Sequence, residues 1–256
     1  MSEPRDLVRK QFGAHATEYA TSPVHAHGGS LGRLVELTKP QATWLVLDVS
    51  TGAGHTAFTF APRVARVIAT DLTPQMLDTA RTLAAQRGVT NVEFRPADAQ
   101  GLPFEAKVFD LVTNRIALHH YPDARKAVEE MARVCKPGGM VALVDNVVPP
   151  EEQTGGYINR FEQIRDPSHH RAYPLAHLVA FFVEAKLMVA HSETMLKDME
   201  FEPWARRMGA SEETRAGLRR MLLEAPDPVR DCLMPRTEHG RLLFTLTEAV
   251  ILGRRV

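Results

Sequence analysis

The segment that most constrains this chain is Trp44-Leu45-Val46-Leu47-Asp48-Val49 followed by Ser50-Thr51-Gly52-Ala53-Gly54. A short apolar run of this kind reads as a buried strand, and the glycines that close it mark a tight turn. His55 to Phe60 then has the pattern of a starting helix. Gly52-Ala53-Gly54-His55-Thr56-Ala57 satisfies the pattern G-x-G-x-x-G/A between a strand and a helix. Glycine permits the turn and a close backbone approach, and the helix start offers free N–H groups, so the loop suits a nucleotide-like ligand.

The rest of the chain repeats the alternation. Strands are predicted at 66–71, 91–96, 109–114 and 140–144, with helices at 74–87 and 124–134 between them. Thr73-Pro74 supplies an N-cap with proline at the first helical position, Gly88 a stop, Asp123 a second cap, and Lys136-Pro137-Gly138-Gly139 a turn. Strands alternating with helices at this spacing predict an α/β fold: a doubly wound, Rossmann-like sheet, mostly parallel. Residues 149–240 are polar, Arg-rich and punctuated by proline, and read as a helical lid insertion with a possible sixth strand at 187–190. The apolar stretch 242–252 predicts a final, late antiparallel strand within 241–256. The chain is thus expected to be one domain over 1–256, with a helical leader (1–40), a cofactor-binding core (41–148), the lid with the acceptor region (149–240) and the last strand.

Composition narrows the partners. Lys+Arg and Asp+Glu are 31 each, so no basic excess points to nucleic acid, and none is expected as a partner. Cys135 and Cys232 stand far apart and outside any CxxC pair, which argues against a disulfide framework or structural zinc. The N-terminus lacks an apolar signal region and no run is long enough to span a bilayer, so no membrane span and a cytoplasmic location are expected.

Asp71, at the end of the second strand, is placed to take two ribose hydroxyls, which a dinucleotide enzyme would also require. Asp48 inside the first strand and Asp98-Ala99 after the third shift the balance. VLDVSTGAGH, ATDLTPQML, PADAQGLPF, FDLVTNRIALHHYPD and VCKPGGMVALVD together resemble class I S-adenosylmethionine-dependent methyltransferases. The pattern is most similar to the ubiquinone/menaquinone-biosynthesis branch (methyltransferase type 11), and FGAHATEYATSPVHAHG and RDPSHHRAY resemble one branch of that group. The resemblance implies S-adenosylmethionine as cofactor, S-adenosylhomocysteine as product and a small-molecule methyl acceptor. It implies that Asp48, Ser50, Gly52 and Gly54 surround the methionine part, that Asp71 holds the ribose, and that Leu72 and Met76 lie beside the adenine. Asp98 and Ala99 would bind the adenine edge, and the backbone at Asn114–Arg115 the methionine ammonium. Tyr19, with His25 or His27, would close over the cofactor. The family commonly has glycine where Ser50 stands, so a positive φ there would strain this chain.

Methyl transfer from a sulfonium is an in-line displacement, so the protein must mainly position the acceptor and exclude water. His119 and His120, just past the fourth strand, are the candidate bases for a protonated acceptor, and at most one is expected to face the methyl. Arg165, His169 and Trp204 are candidate acceptor-binding residues. Arg206-Arg207 and Arg219-Arg220 read as solvated helix faces. Phe181, Phe182, Met195, Phe201, Trp204 and Met208 favour an aromatic or polyketide-like acceptor. The histidines lack metal-ligand spacing, so no metal is expected. Two other readings remain open at this level: a nicotinamide-dependent oxidoreductase using the same loop, and a non-catalytic cofactor-binding protein.

Overall fold

Successive residues of a strand point to opposite faces of its sheet, and here both faces are apolar. In the computed structural model, which describes residues 4–16 and 28–256, Val46, Val67, Leu111, Ala142 and Val250 pack on one face, and Leu47, Ile68, Val112, Leu143 and Ile251 on the other. The strands are β1 (Leu45–Val49), β2 (Arg66–Asp71), β3 (Val92–Pro96), β4 (Phe109–Arg115), β5 (Cys135–Val147), β6 (Leu187–Glu200), β7 (Arg236–Glu238) and β8 (Arg241–Arg255). They form one sheet in the order β3-β2-β1-β4-β5-β8-β6, with β7 pairing β8. The first five run parallel, β8 is antiparallel to β5, and β6 and β7 are antiparallel to β8. The order reverses between β1 and β4, where an open α/β sheet leaves a crevice at the strands' carboxyl ends.

Helices cover both faces. Gly29–Thr38 and His55–Phe60 lie against the first face; Ala124–Val134 and Leu175–Glu184 lie against the second. Asp123 caps its helix, accepting from the Lys126 amide at 2.9 Å. Thr73 occupies the N-cap position ahead of Pro74, but its hydroxyl makes no capping bond. The predicted turn at 136–139 sits inside β5: Phe109 pairs with Cys135 and Leu111 with Met140, so the four residues between bulge out of the ladder.

The region 149–240 departs from an all-helical lid. β6 runs for 14 residues through its middle, and β6 pairs with β8 along almost the whole length of both. The expected short strand at 187–190 is only its beginning. β8 outruns β5, and Phe244 and Leu246, near its start, nucleate a separate core with Phe161, Phe201, Trp204 and Leu218. Phe161 stacks on Trp204 with ring centroids 4.8 Å apart, and Phe244 meets Trp204 edge-on at 4.9 Å. The helices Glu152–Arg165, Phe201–Arg206, Glu212–Leu223 and Asp227–Leu233 are thereby docked on the extended end of the sheet. No helix among the described residues is long and apolar enough to cross a membrane.

Candidate active site

β1 leads into a loop with positive φ at every second residue: Ser50 at φ 53°, Gly52 at φ 55° and Gly54 at φ 90°. A Cβ on Gly54 would stand 2.6 Å from the Phe58 ring, whereas one on Gly52 would meet nothing within 4 Å and would intrude on open space. That space is a cleft of about 900 Å³, partly continuous with solvent, at the carboxyl ends of the parallel strands. Asp71 rises from the end of β2 beside it. One carboxylate oxygen accepts from the Gly52 amide and the other from the Thr73 amide, each at 2.9 Å. Burial raises the pKa of this carboxyl against the opposing pull of those amides. The side chain therefore ties the glycine loop to the next helix and keeps lone pairs for a ligand.

Of the residues expected around a cofactor, Ser50, Gly52, Asp71, Leu72, Met76, Asp98, Ala99 and Arg115 line this cleft. Asp48, Gly54 and Asn114 do not; they build its floor. Asp48 is 1% exposed and accepts from the hydroxyls of Thr51 at 2.6 Å and Thr113 at 2.7 Å. Burial pushes its pKa up to about 6, with those two hydroxyls acting in the other direction. Asn114 donates its amide to the Val49 carbonyl at 2.9 Å and to the Tyr121 hydroxyl at 2.8 Å. Tyr121 in turn shares a 2.6 Å hydrogen bond with Ser50. Ser50 does adopt the left-handed conformation that strains a side-chain-bearing residue, and its hydroxyl gains a partner there that glycine would lack. Nothing in the sequence pattern singled out Tyr121.

The leader contributes a second group that the sequence reading missed. Arg5, Val8 and Phe12, on one face of the helix Pro4–Ala14, form a wall of the cleft. Arg5 pairs with Asp98 at 2.9 Å, and Gln11 donates to the Met208 carbonyl at 2.7 Å, joining leader, core and lid. The i, i+4 spacing of Val8 and Phe12 was the available signal. Tyr19, His25 and His27 lie outside the described residues.

A smaller chamber, about 460 Å³ with the solvent-filled mouth included, adjoins the cleft, and both are lined by Phe12, Ile116 and His120. Ile116 has φ 56°, a conformation a β-branched residue rarely takes; its amide is held by the Val144 carbonyl at 2.7 Å. It turns the chain from β4 into the short 3-10 turn Leu118–His120. The two histidines of that turn diverge. His120 faces both cavities, whereas His119 faces only the chamber. His120 Nδ1 lies 3.1 Å from the Ser168 carbonyl oxygen, which only accepts, so Nδ1 carries the proton and Nε2 the lone pair. Burial, reinforced by neighbouring His119, pushes the His120 pKa down to about 4. His119 Nδ1 bonds Asp145 at 2.5 Å. Burial opposes protonation of His119, but Asp145, aided by Glu162 and Asp166, outweighs it and raises the pKa.

Arg165 and Trp204 line the chamber, as expected of acceptor contacts, but His169 lines neither cavity. His169 donates to Asn159 at 2.8 Å and braces the loop that carries Ser168. Arg207, read from sequence as part of a solvated face, instead turns into the chamber beside Lys197 and Asn146. The apolar side chains expected around an acceptor do not converge on one cavity. Phe181 and Phe182 belong to the main core, Met195 to the opposite sheet face and Phe201 to the satellite core, so Trp204 alone of those six lines the chamber. Among the described residues no three His, Cys, Asp or Glu side chains are grouped to hold a metal.

Known proteins share this fold. Residues 47–143 match the model of the methyltransferase domain. The chain is 34% identical to the uncharacterised methyltransferase YcgJ of Bacillus subtilis over 244 residues, 94% of this chain and 96% of that one. The YcgJ crystal structure superposes with a TM-score of 0.85, covering 90% of this chain and 99% of that chain. A methyltransferase-fold protein of Bacillus halodurans, BH2331, gives a TM-score of 0.84 at 34% identity, covering 89% and 99%. A demethylmenaquinone methyltransferase of Thermus thermophilus is 37% identical over 125 residues, 48% of this chain and 56% of that protein. A glycine loop with Asp71 beside it is common to several nucleotide enzymes; the family matches and the superposed fold decide among them for a methyltransferase. The chain belongs to the class I S-adenosylmethionine-dependent methyltransferases.

Proposed function

We propose that this enzyme methylates a small-molecule acceptor, with S-adenosylmethionine in the cleft and the acceptor in the chamber. The observation that carries the reading is the wall common to both cavities, where Phe12, Ile116 and His120 meet. When bound, the cofactor would supply a sulfonium methyl: an electron pair of the acceptor (a lone pair on oxygen or nitrogen, a π or C–H pair on carbon) would form the new bond, and sulfur would keep the pair of the broken one. Asp71 would hold the ribose, with Leu72 and Met76 beside the adenine and Asp98-Ala99 at its edge. Gly52 and Ser50 would leave room for the methionine part, and the backbone at Arg115 would take its ammonium. The leader helix, tied down by Arg5 and Gln11, would exclude water from above.

His120 is the proposed base. Its Nδ1–H is fixed on Ser168, so Nε2 is available to take a proton from an O–H, N–H or C–H acceptor as the methyl bond forms. His119, oriented by Asp145, would hold the acceptor in the chamber rather than abstract its proton. The first test is calorimetric titration with S-adenosylhomocysteine, NAD and NADP. One-site binding of the first alone is expected; binding of a nicotinamide cofactor in its place would overturn the cofactor assignment.

A further inference from the structure

We infer that the methyl acceptor carries an anionic group, a carboxylate or a phosphate, seated against Arg165, Lys197 and Arg207. This rests on the reading of the chamber as the acceptor site. Those three cations line it, and Glu162 is the one carboxylate in that wall among the described residues. One oxygen of Glu162 is engaged by Arg165 at 3.1 Å, and the other is buried without a hydrogen-bond partner. Lys197 is held by Glu248 and by the Asn146 side-chain oxygen at 3.1 Å. That contact occupies one lone pair of the Asn146 oxygen and leaves the NH2 of its amide as a donor. The polar surface of the chamber is therefore richer in N–H donors than in acceptors, which suits the oxygens of an anion.

Two of the cations, Arg165 and Lys197, are also built in rather than draped over a surface. The Arg165 side chain is 10% exposed, and its guanidinium stands 4.7 Å over the Trp204 ring, which Phe161 backs. Charges held in so dry a place act more strongly than exposed ones. Met199, Leu246 and Trp204 supply an apolar flank, so the fitting molecule has an apolar body and an acidic end. His119, on the same wall, is drawn toward its charged form by Asp145 and adds to the donor set.

The test uses matched probes on the full chain, with and without saturating S-adenosylhomocysteine: benzoate against benzamide, and phenyl phosphate against benzyl alcohol, by calorimetry. The acid of at least one pair is expected to bind tenfold or more tightly than its neutral partner, and to weaken as salt is raised. Arg207→Gln and Arg165→Gln should each cost tenfold or more in that acid's affinity while S-adenosylhomocysteine affinity stays within about twofold. Arg165 adjoins the satellite core, so Arg207→Gln, checked by thermal denaturation, is the decisive variant. Which acid wins identifies the anion. No binding of either acid, equal binding of the neutral partners, or an unchanged Arg207→Gln overturns the inference. Failure of S-adenosylhomocysteine to bind would instead sink the methyl-transfer reading, and the probe titrations without it keep the two failures apart.

Discussion

The cleft and the chamber share a wall but are made in different ways. The cleft is largely a product of backbone: the glycine loop after β1, the end of β2 and the turn after β3 come from one stretch, residues 50–100, and the leader helix closes it from above. The chamber is made of side chains from Phe12, the turn after β4, the end of β5, the helix Glu152–Arg165, β6, the helix Phe201–Arg206 with Arg207 just past it, and β8. A backbone cradle depends on a few required conformations and tolerates change around them. A side-chain chamber has no such requirement, so its chemistry can be rewritten without disturbing the sheet.

Four experiments test the division between cleft and chamber. The largest effect is expected at the common wall. His120→Ala should lower turnover by ~10²–10⁴-fold while leaving S-adenosylhomocysteine affinity nearly unchanged, as steady-state kinetics and titration would show. Equal turnover would leave positioning as the whole mechanism. Next comes the chamber's support. Trp204→Ala removes the ring that Phe161, Phe244 and Arg165 all touch and should cost about 3–5 kcal/mol of stability by denaturant unfolding. A loss well below that would mean that the satellite core contributes little to folding.

The third experiment varies pH. His120 is held near 4 against an ordinary 6.5, facing His119, Asp166 and Asp145. Below about 6.5 the unfolded chain therefore binds a proton that the folded chain refuses until about 4. The contribution of His120 to stability is present above 6.5 and lost as pH falls toward 4, at up to ~1.4 kcal/mol per unit. Asp48 works against it: its raised carboxyl protonates first in the folded state, so its share of stability grows as pH falls through 6. His120→Gln should flatten the acid loss measured by unfolding at pH 6.5, 5 and 4, and an unchanged slope would place the acid sensitivity elsewhere. The smallest effect tests the cleft. Asp71→Ala should weaken S-adenosylhomocysteine binding by about 1–3 kcal/mol, and unchanged affinity would remove the ribose assignment.

The same contrast explains what could be read in advance. β1, β2 and β4 were legible because strands buried on both faces are short apolar runs, and the loop was legible because few residues other than glycine take the conformations found at 52 and 54. Arg5 and Phe12 were missed because an amphipathic leader helix does not announce which surface it covers. Arg207 was misread because charge on a helix end says nothing of which way the chain enters the next turn. β6 was underestimated because its alternation of half-buried and exposed residues, with charges on both sides, lacks the apolar density of the parallel strands.

The sequence by itself determined the sheet type, the nucleotide-facing loop and the place of Asp71 beside it, since each follows from local periodicity or from a conformation only certain residues adopt. Only the tertiary structure decided that Asp48 turns down to Thr51 and Thr113, that His120 rather than His119 looks into both cavities, and that three cations from distant segments meet in one chamber. Those outcomes depend on strand register, on the left-handed turn at Ile116 and on the docking of the lid, and each of these is set by contacts between residues far apart along the chain.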